Sequence, residues 1–427
     1  MIIALLLAML FLFAIGMPIA WAMALASALY MALGPGVPLQ GMVQRLVGGI
    51  DSFPLLAIPF FILAGNLMNT GGITNRLVTF AKVLVGHIKG GLGHVVVVSN
   101  MILAGMSGSG VADAAGSGAV LIPAMRRAGY GAPFAAAVVG ASATIGPIIP
   151  PSIPFVVYGS IASVSIGRLL LAGAIPGVVM GICLMVAVYL IAKRRHYPSE
   201  KRARFGDVIR ASIAVIPPLG MPLIIVGGMI AGVMTPTEAA VSGAIYAFVL
   251  GFFFYREITL ASLPGILVET VVGTAAIVII IAASQPFGWI LSYDGAPIKF
   301  VEAIQQYNLT PWQLLLLINV ALLIVGCFME GLAILVMVTP VLLPLLASAG
   351  IDPIHFGVIF ILNIMIGNIT PPVGMIMYVV IALGKISIAE FAREIWPFFL
   401  ALVVALLLVT YIPSLAMWLP DLLLPAK

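Results

Sequence analysis

Two groups of residues, one in each half of the chain, carry the oxygens from which a binding site can be built. The first holds Ser107, Gly108, Ser109 and Asp113, with Ser142, Thr144 and Gly146 further on. The second holds Gly326, Glu330, Asn363, Gly367, Asn368 and Thr370. Both groups lie where Gly and Pro interrupt long apolar sequence, ending in Pro150-Pro151 and Pro371-Pro372. Proline lacks an N–H and clashes with the preceding turn, so helices stop there. A stopped helix leaves free carbonyls, free N–H groups and half-helix ends. Half-helix N-termini favour anions, and unwound carbonyls hold cations such as Na⁺. Asp113 and Glu330 stand out, because a carboxylate at membrane depth costs at least ~2.5 kcal/mol. Each needs either a hydrogen bond to nearby backbone or a ligand. The competing reading of Ser107–Gly110 is plain close packing of helices through small residues.

These residues must be held by elements inside a bilayer. The chain has 427 residues, 63% of them hydrophobic, with 19 Lys+Arg and 14 Asp+Glu. A soluble domain of this length would carry about 107 charged residues. Mean hydropathy is +1.25. That excludes an ordinary soluble protein and a disordered one. At ~20 apolar residues per crossing, the length allows roughly 10–14 crossings or partial crossings. Solid apolar runs such as Leu169–Ala192 replace the alternation that a membrane β-barrel requires. The reading is an all-α polytopic membrane protein. Its N-terminus has no basic region or small-residue cleavage site, so it is expected to remain as a first helix. Ile2 to about Leu33 reads as one span. Cys183 and Cys327 lie in apolar surroundings and suggest no disulfide framework.

Seven basic residues fall in the segment Lys193–Arg210, which places it in the cytoplasm. It divides the chain nearly in half, and the halves repeat. Shifted by 221 residues, Gly105–Pro151 lies on Gly326–Pro372 without a gap, with 13 of 47 positions identical. Gly110/Gly331, Pro123/Pro344, Gly129/Gly350 and Gly146/Gly367 coincide, and such residues set backbone shape rather than mere hydrophobicity. Leu92–Met125 and Trp312–Ala347 are each too long for one helix and broken in the middle, which predicts re-entrant hairpins. Five crossings separate the copies, at roughly 133–165, 169–192, 212–232, 237–254 and 267–291. Five is odd, so the second copy is inverted. Arg126-Arg127 against Ala347-Ser348 agrees, because only one copy then ends on the positive side. Inverted repeats with broken helices are the architecture of secondary transporters.

Other segments divide around this repeat. Residues 1–91 read as scaffold helices plus an interfacial amphipathic helix at Gly71–Gly90, and 92–192 as the first transport repeat. Residues 193–211 form the basic loop, 212–311 a second scaffold part, and 312–427 the second repeat. Tyr293–Pro311 reads only as a polar outer segment. Glu238 suits the third position of a capped helix, His94 and His355 suit structural roles, and Glu269 has no evident role. Motifs for a P-loop NTPase, a zinc protease or a serine hydrolase are missing from the sequence. No feature points to nucleic acid or to an organic cofactor.

At Gly16-Met17-Pro18, Ile58–Asn66, Gly90–Gly93, Ser107–Ser109 through Ile122–Met125, Ile149–Ser152, Thr235–Ala240 and Pro371–Gly374, the chain resembles a known family. It is similar to the large membrane subunit, of DctM/SiaM type, of tripartite ATP-independent periplasmic (TRAP) transporters. The resemblance implies a Na⁺-coupled elevator transporter in a bacterial or archaeal inner membrane. It implies a four-helix membrane subunit, expected here as a separate chain, and a periplasmic binding protein that delivers a small organic acid. C4-dicarboxylates, sialic acid and other sugar acids are the substrate candidates. On this basis two Na⁺ sites are expected, one at each hairpin turn. Their ligands would come from Ser107, Gly108, Ser109, Asp113, Ser142, Thr144 and Gly146, and from Gly326, Glu330, Gly367 and Thr370. Ser107, Ser109, Asn368 and Thr370 are the expected substrate contacts. A stand-alone carrier without partners, a membrane enzyme using Asp113 or Glu330, and a passive channel remain the alternatives.

Overall fold

The computed structural model describes residues 2–33 and 40–425. It is helical, with no strand among the described residues. The first helices are α1 (Ile2–Ala14), α2 (Ile19–Leu33) and α3 (Gln40–Gly48). The expected single span from Ile2 to Leu33 is therefore two helices. Gly16 turns at φ +90° and Pro18 follows it, and that pair cannot continue a helix. A 3₁₀ turn at Phe53–Leu56 leads into α4 (Ala57–Thr70), and α5 (Ile73–Val85) lies at the position of the expected amphipathic helix. Its charged face pairs Arg76 with Glu257 at 2.7 Å and Lys82 with Glu200 at 3.0 Å.

The first repeat runs α6 (Gly91–Ser107), α7 (Gly110–Arg127), α8 (Ala132–Ala143), α9 (Ile153–Ala162) and α10 (Ile166–Arg195). Three long helices follow: α11 (Phe205–Ile230), α12 (Pro236–Val249, continued by a π turn) and α13 (Leu263–Tyr293). A short helix, α14 (Ala296–Gln305), occupies the segment read only as polar and outer. It is the counterpart of α5 in the second copy. The second repeat is α15 (Pro311–Gly326), α16 (Gly331–Ser348), α17 (Pro353–Gly367), α18 (Met375–Gly384) and α19 (Ile388–Tyr411), followed by α20 (Ser414–Leu423). Seven helical segments among the described residues are long and apolar enough to cross a bilayer.

Local chemistry sets the starts of these helices. Thr235, Thr310 and Asp352 are N-caps followed directly by proline, the pairing that satisfies orphan N–H groups and presets φ. Glu238 takes the third helical position and closes a capping box on Thr235. The repeat also persists in backbone detail. Gly129 and Gly350 both have positive φ, Pro150-Pro151 and Pro371-Pro372 are both cis, and Ser109 and Glu330 are equivalent N-caps.

The copies interlock rather than sit apart. The second arm of each pair packs on the post-break helix of the other copy, α7 on α18 and α16 on α9, while α8 packs on α19 and α17 on α10. Helices α2, α13, α4, α12 and α11 form a neighbouring row, joined to the interlocked part mainly through α4, α5 and α13. The pairs differ in one respect. Arms α6 and α7 pack along each other, whereas α15 and α16 touch only near their turn.

Inside this part, Asn319 ties three helices. Its amide donates to Thr410 Oγ1 at 3.0 Å on α19, and it accepts from Asn363 Nδ2 at 3.0 Å on α17. Its residue exposure is 2%. Bonds of this kind within membranes are worth about 0.6–2 kcal/mol each. Asn319→Leu is expected to lower unfolding stability by about 1–3 kcal/mol, measured by thermal unfolding in detergent.

Candidate functional site

The first group of site residues comes together where the α6–α7 turn meets the break between α8 and α9. Gly108 adopts left-handed φ at +61° and Ser109 is extended, so the chain reverses in two residues. Ser107 Oγ accepts from Ser109 N at 3.3 Å, and Ser109 Oγ accepts from Ala112 N at 3.4 Å. The turn presses on the break. A Cβ on Gly108 would lie 2.8 Å from Pro151 O, and one on Gly110 would lie 2.8 Å from Ala143 O. Asp113, one helical turn on, is 3% exposed. Its Oδ2 has no hydrogen-bond partner. That oxygen faces Gly146, whose missing Cβ would stand 2.3 Å from it. Asp113 and Ser107 line a cavity of about 20 Å³ together with Gly65 and Asn69 of α4. That is room for one water-sized occupant.

Ser142 and Thr144 are less free than their sequence position suggests. Ser142 Oγ donates to Val138 O at 2.8 Å and accepts from Asn100 Nδ2 at 2.6 Å. Thr144 Oγ1 donates to Ala141 O at 2.6 Å. Both keep a lone pair, but both hydroxyl protons are spent on the helix itself. Past the break, Ser152 caps α9 and donates to Pro147 O at 2.5 Å.

The second group assembles at the same register. Gly326 and Gly367 touch backbone to backbone. A Cβ on Gly367 would lie 2.8 Å from three Gly326 main-chain atoms. Val373 N donates to Cys327 O at 3.1 Å, which pins the α15–α16 turn to the break. Asn368 O accepts from Ile376 N at 3.1 Å and Met377 N at 3.3 Å, satisfying the start of α18. Glu330 accepts from Ala333 N at 2.9 Å as the N-cap of α16. Thr370 Oγ1 donates to Ile366 O at 2.8 Å. Asn363 spends its amide on Asn319, and its Oδ1 is buried without a partner. The first break is buried almost throughout, whereas Thr370 is half-buried and Pro372 and Val373 are exposed.

The groups are neighbours. A Cβ on Gly110 would reach Ile376 Cδ1 at 2.8 Å, so the first turn abuts the start of α18. Asn69 was not singled out in the sequence, and Gly65 only as part of the Ile58–Asn66 segment and not as a site residue. The available signal was Asn66 and Asn69 three residues apart on one helix face. His355 Nε2 bonds Val409 O at 2.8 Å, which suits a structural role, while both ring nitrogens of His94 are buried without a partner. No group of three or more His, Cys, Asp or Glu side chains converges among the described residues. The donors present are hydroxyls, amides, carbonyls and one carboxylate per copy, a set that suits hard cations.

Residues 6–415 match the family model described as "Tripartite ATP-independent periplasmic transporter, DctM component". The chain is 42% identical over 413 residues to the sialic acid TRAP transporter large permease protein SiaM of Vibrio cholerae, covering 96% of each chain. It is 41% identical to the 2,3-diketo-L-gulonate TRAP transporter large permease protein YiaN of Escherichia coli, covering 94% of this chain and 95% of that one. Its fold is similar to that of the Alcanivorax borkumensis YdaH transporter, with a TM-score of 0.59 and 17% identity, covering 92% and 95% of the two chains. The chain belongs to the DctM family and is a multi-pass membrane permease of the TRAP class, a transporter component and not an enzyme.

Proposed function

We propose that the chain is the sodium-coupled membrane subunit of an importer for a small organic acid, moving its cargo by an elevator mechanism. The observation that carries this reading is Asp113 Oδ2, buried and unpartnered against Gly146 beside an ion-sized cavity. A carboxylate with one oxygen left unpartnered there is costly, and a bound cation offsets the cost. Na⁺ fits the oxygen donors of Ser107, Ser109, Asp113 and the Gly146 break. A second Na⁺ would use Gly326, Gly367, Thr370 and Glu330, with Glu330 also serving as the cap. Cation binding at the turns creates the anion site between Ser107, Ser109, Asn368 and Thr370. The membrane potential then contributes ~2.3 kcal/mol per net charge per 100 mV.

The relatives support a reading of substrate and partners. Sialic acid and 2,3-diketo-L-gulonate, named for SiaM and YiaN, are both hydroxylated carboxylates, so a sugar acid is the favoured cargo. A periplasmic protein would deliver it. A small membrane subunit would cover part of the helix row. Glu269 supports that last point, since it is exposed on α13 between exposed Val268 and Val271, and a lone carboxylate facing lipid is expensive. The inner membrane is the expected location, with Lys193–Arg210 in the cytoplasm.

The test needs no knowledge of the cargo. Replacing K⁺ by Na⁺ at constant ionic strength is expected to raise thermal stability saturably, by ~2.7 kcal/mol at 100 times Kd. Ser107→Ala and Thr370→Ala are expected to shrink the rise. Equal stability in both salts would overturn sodium coupling. Uptake into vesicles without any added binding protein would favour the stand-alone carrier instead.

A further inference from the structure

A second site lies away from both turns. A cavity of about 610 Å³ is bounded by α3 and the outer half of α13 on one side, and by α9 and α16 on the other. None of the residues assigned above to ions or cargo lines it. With Lys193–Arg210 inside, α9 and α13 both end on the outer face, so this cavity belongs to the outer half of the membrane. It therefore sits between the helix row and the interlocked repeats, on the side from which cargo arrives. Its volume is in the range of small-molecule sites, about 300–1,000 Å³.

The lining chemistry is one-sided. Arg45 supplies the cation, and no Asp or Glu lines the cavity. Among the described residues Arg45 forms no ion pair. It is held instead over the Trp289 ring, 3.9 Å from the centroid. That contact orients the guanidinium and leaves its N–H fork unspent. Gln44 and Gln285 add neutral donors and acceptors, and Gly49 lets the Gln285 side chain lie directly on α3. Across the cavity, Ser52 Oγ and Ser160 Oγ meet at 3.3 Å, so hydroxyls bridge the two walls. A half-buried arginine without a carboxylate, among amides and hydroxyls, matches a hydroxylated organic anion.

We propose that this cavity is an outer holding site, in which Arg45 pairs with the carboxylate of the organic acid before the acid reaches the turns. The role, though not the anion preference, rests on the importer reading above. Because the cavity is walled by elements from both parts of the fold, relative movement of those parts would open or close it. An anion held there is released towards the breaks once Na⁺ has formed the inner site.

The experiment uses the whole chain with Cys183→Ala and Cys327→Ala as background and Ser160→Cys as reporter. The probes are negatively charged sulfonatoethyl and positively charged trimethylammonium-ethyl methanethiosulfonate. With Arg45 present, the anionic probe is expected to gain on the cationic one. Arg45→Gln is expected to reduce that rate ratio by about tenfold, Arg45→Lys to retain it, and Arg45→Glu to invert it. A ratio indifferent to all three substitutions would overturn the proposal, as would absence of labelling by either probe. The sodium-dependent rise in stability is expected to survive Arg45→Gln. Loss of the rise in the unmutated chain would instead tell against sodium coupling, so the two failures are distinguishable.

Discussion

Asp113→Asn is expected to abolish the sodium-specific stabilisation while leaving the protein at least as stable in K⁺ as the unmutated chain. The two halves of this outcome have one cause. Asp113 is 3% exposed and its Oδ2 lacks any donor. Without a cation, such a carboxylate is a liability of about 2.5–3.5 kcal/mol at the centre of a span. Asparagine keeps the shape and removes the charge, so the empty protein loses a cost. It also removes the anionic ligand. Altering only the groups around a metal ligand already costs about 10–100-fold in affinity, so Na⁺-driven uptake should fall by about a hundredfold or more. A carboxylate kept only for structure behaves in the opposite way, since breaking its bonds lowers stability in every salt. Thermal unfolding of Asp113→Asn in Na⁺ and in K⁺ separates these cases. A retained sodium rise would remove Asp113 from the site, and with it the observation on which sodium coupling rests.

What the sequence discloses and what it hides follow from the range of the interactions involved. Gly146/Gly367 and the two proline pairs were legible because glycine and proline act on their own backbone, so their consequences need no partner. The same holds for the capping residues, where Thr235 and Glu238 sit three apart in one turn. The break at Gly16-Met17-Pro18 was hidden by the apolar run around it, although both breakers were in view. Helix α14 was hidden because a short amphipathic segment reads as a polar loop, and the repeat is legible only from Gly105 and Gly326 onward, short of the α5 helix on which the same shift lays it. Residues that act across elements were not legible at all. Asn69 reaches the first turn only because α4 packs beside α6, and Arg45 faces a cavity only because α3 lies against α13. The splay of α15 from α16 is of the same kind, set by what each arm packs against rather than by the turn between them.

The second large effect is expected at Gly367, where Gly367→Ala should disable transport and lower stability together. An ideal Cβ there lies 2.8 Å from the C, Cα and O of Gly326. All three are main-chain atoms, so no side chain can swing aside and the turn must move away from the break. Overpacking of that sort costs about 1–3 kcal/mol. The displacement matters more for function than the energy does. Carbonyls of the Gly326 turn and of the Gly367 break must face one ion, and a misplacement of about 1 Å at such a site can cost a hundredfold. Gly227→Ala is the matching control. Gly227 lies within α11, and nothing stands within 4 Å of its missing Cβ, so alanine should stabilise the helix by about 0.8–1 kcal/mol and leave uptake unchanged. Comparing both variants in thermal unfolding and in sodium-driven uptake tests whether contact, and not the loss of glycine itself, is responsible. Equal behaviour of the two would mean that the Gly326–Gly367 contact is dispensable, and the second ion site would have to be sought away from this crossing.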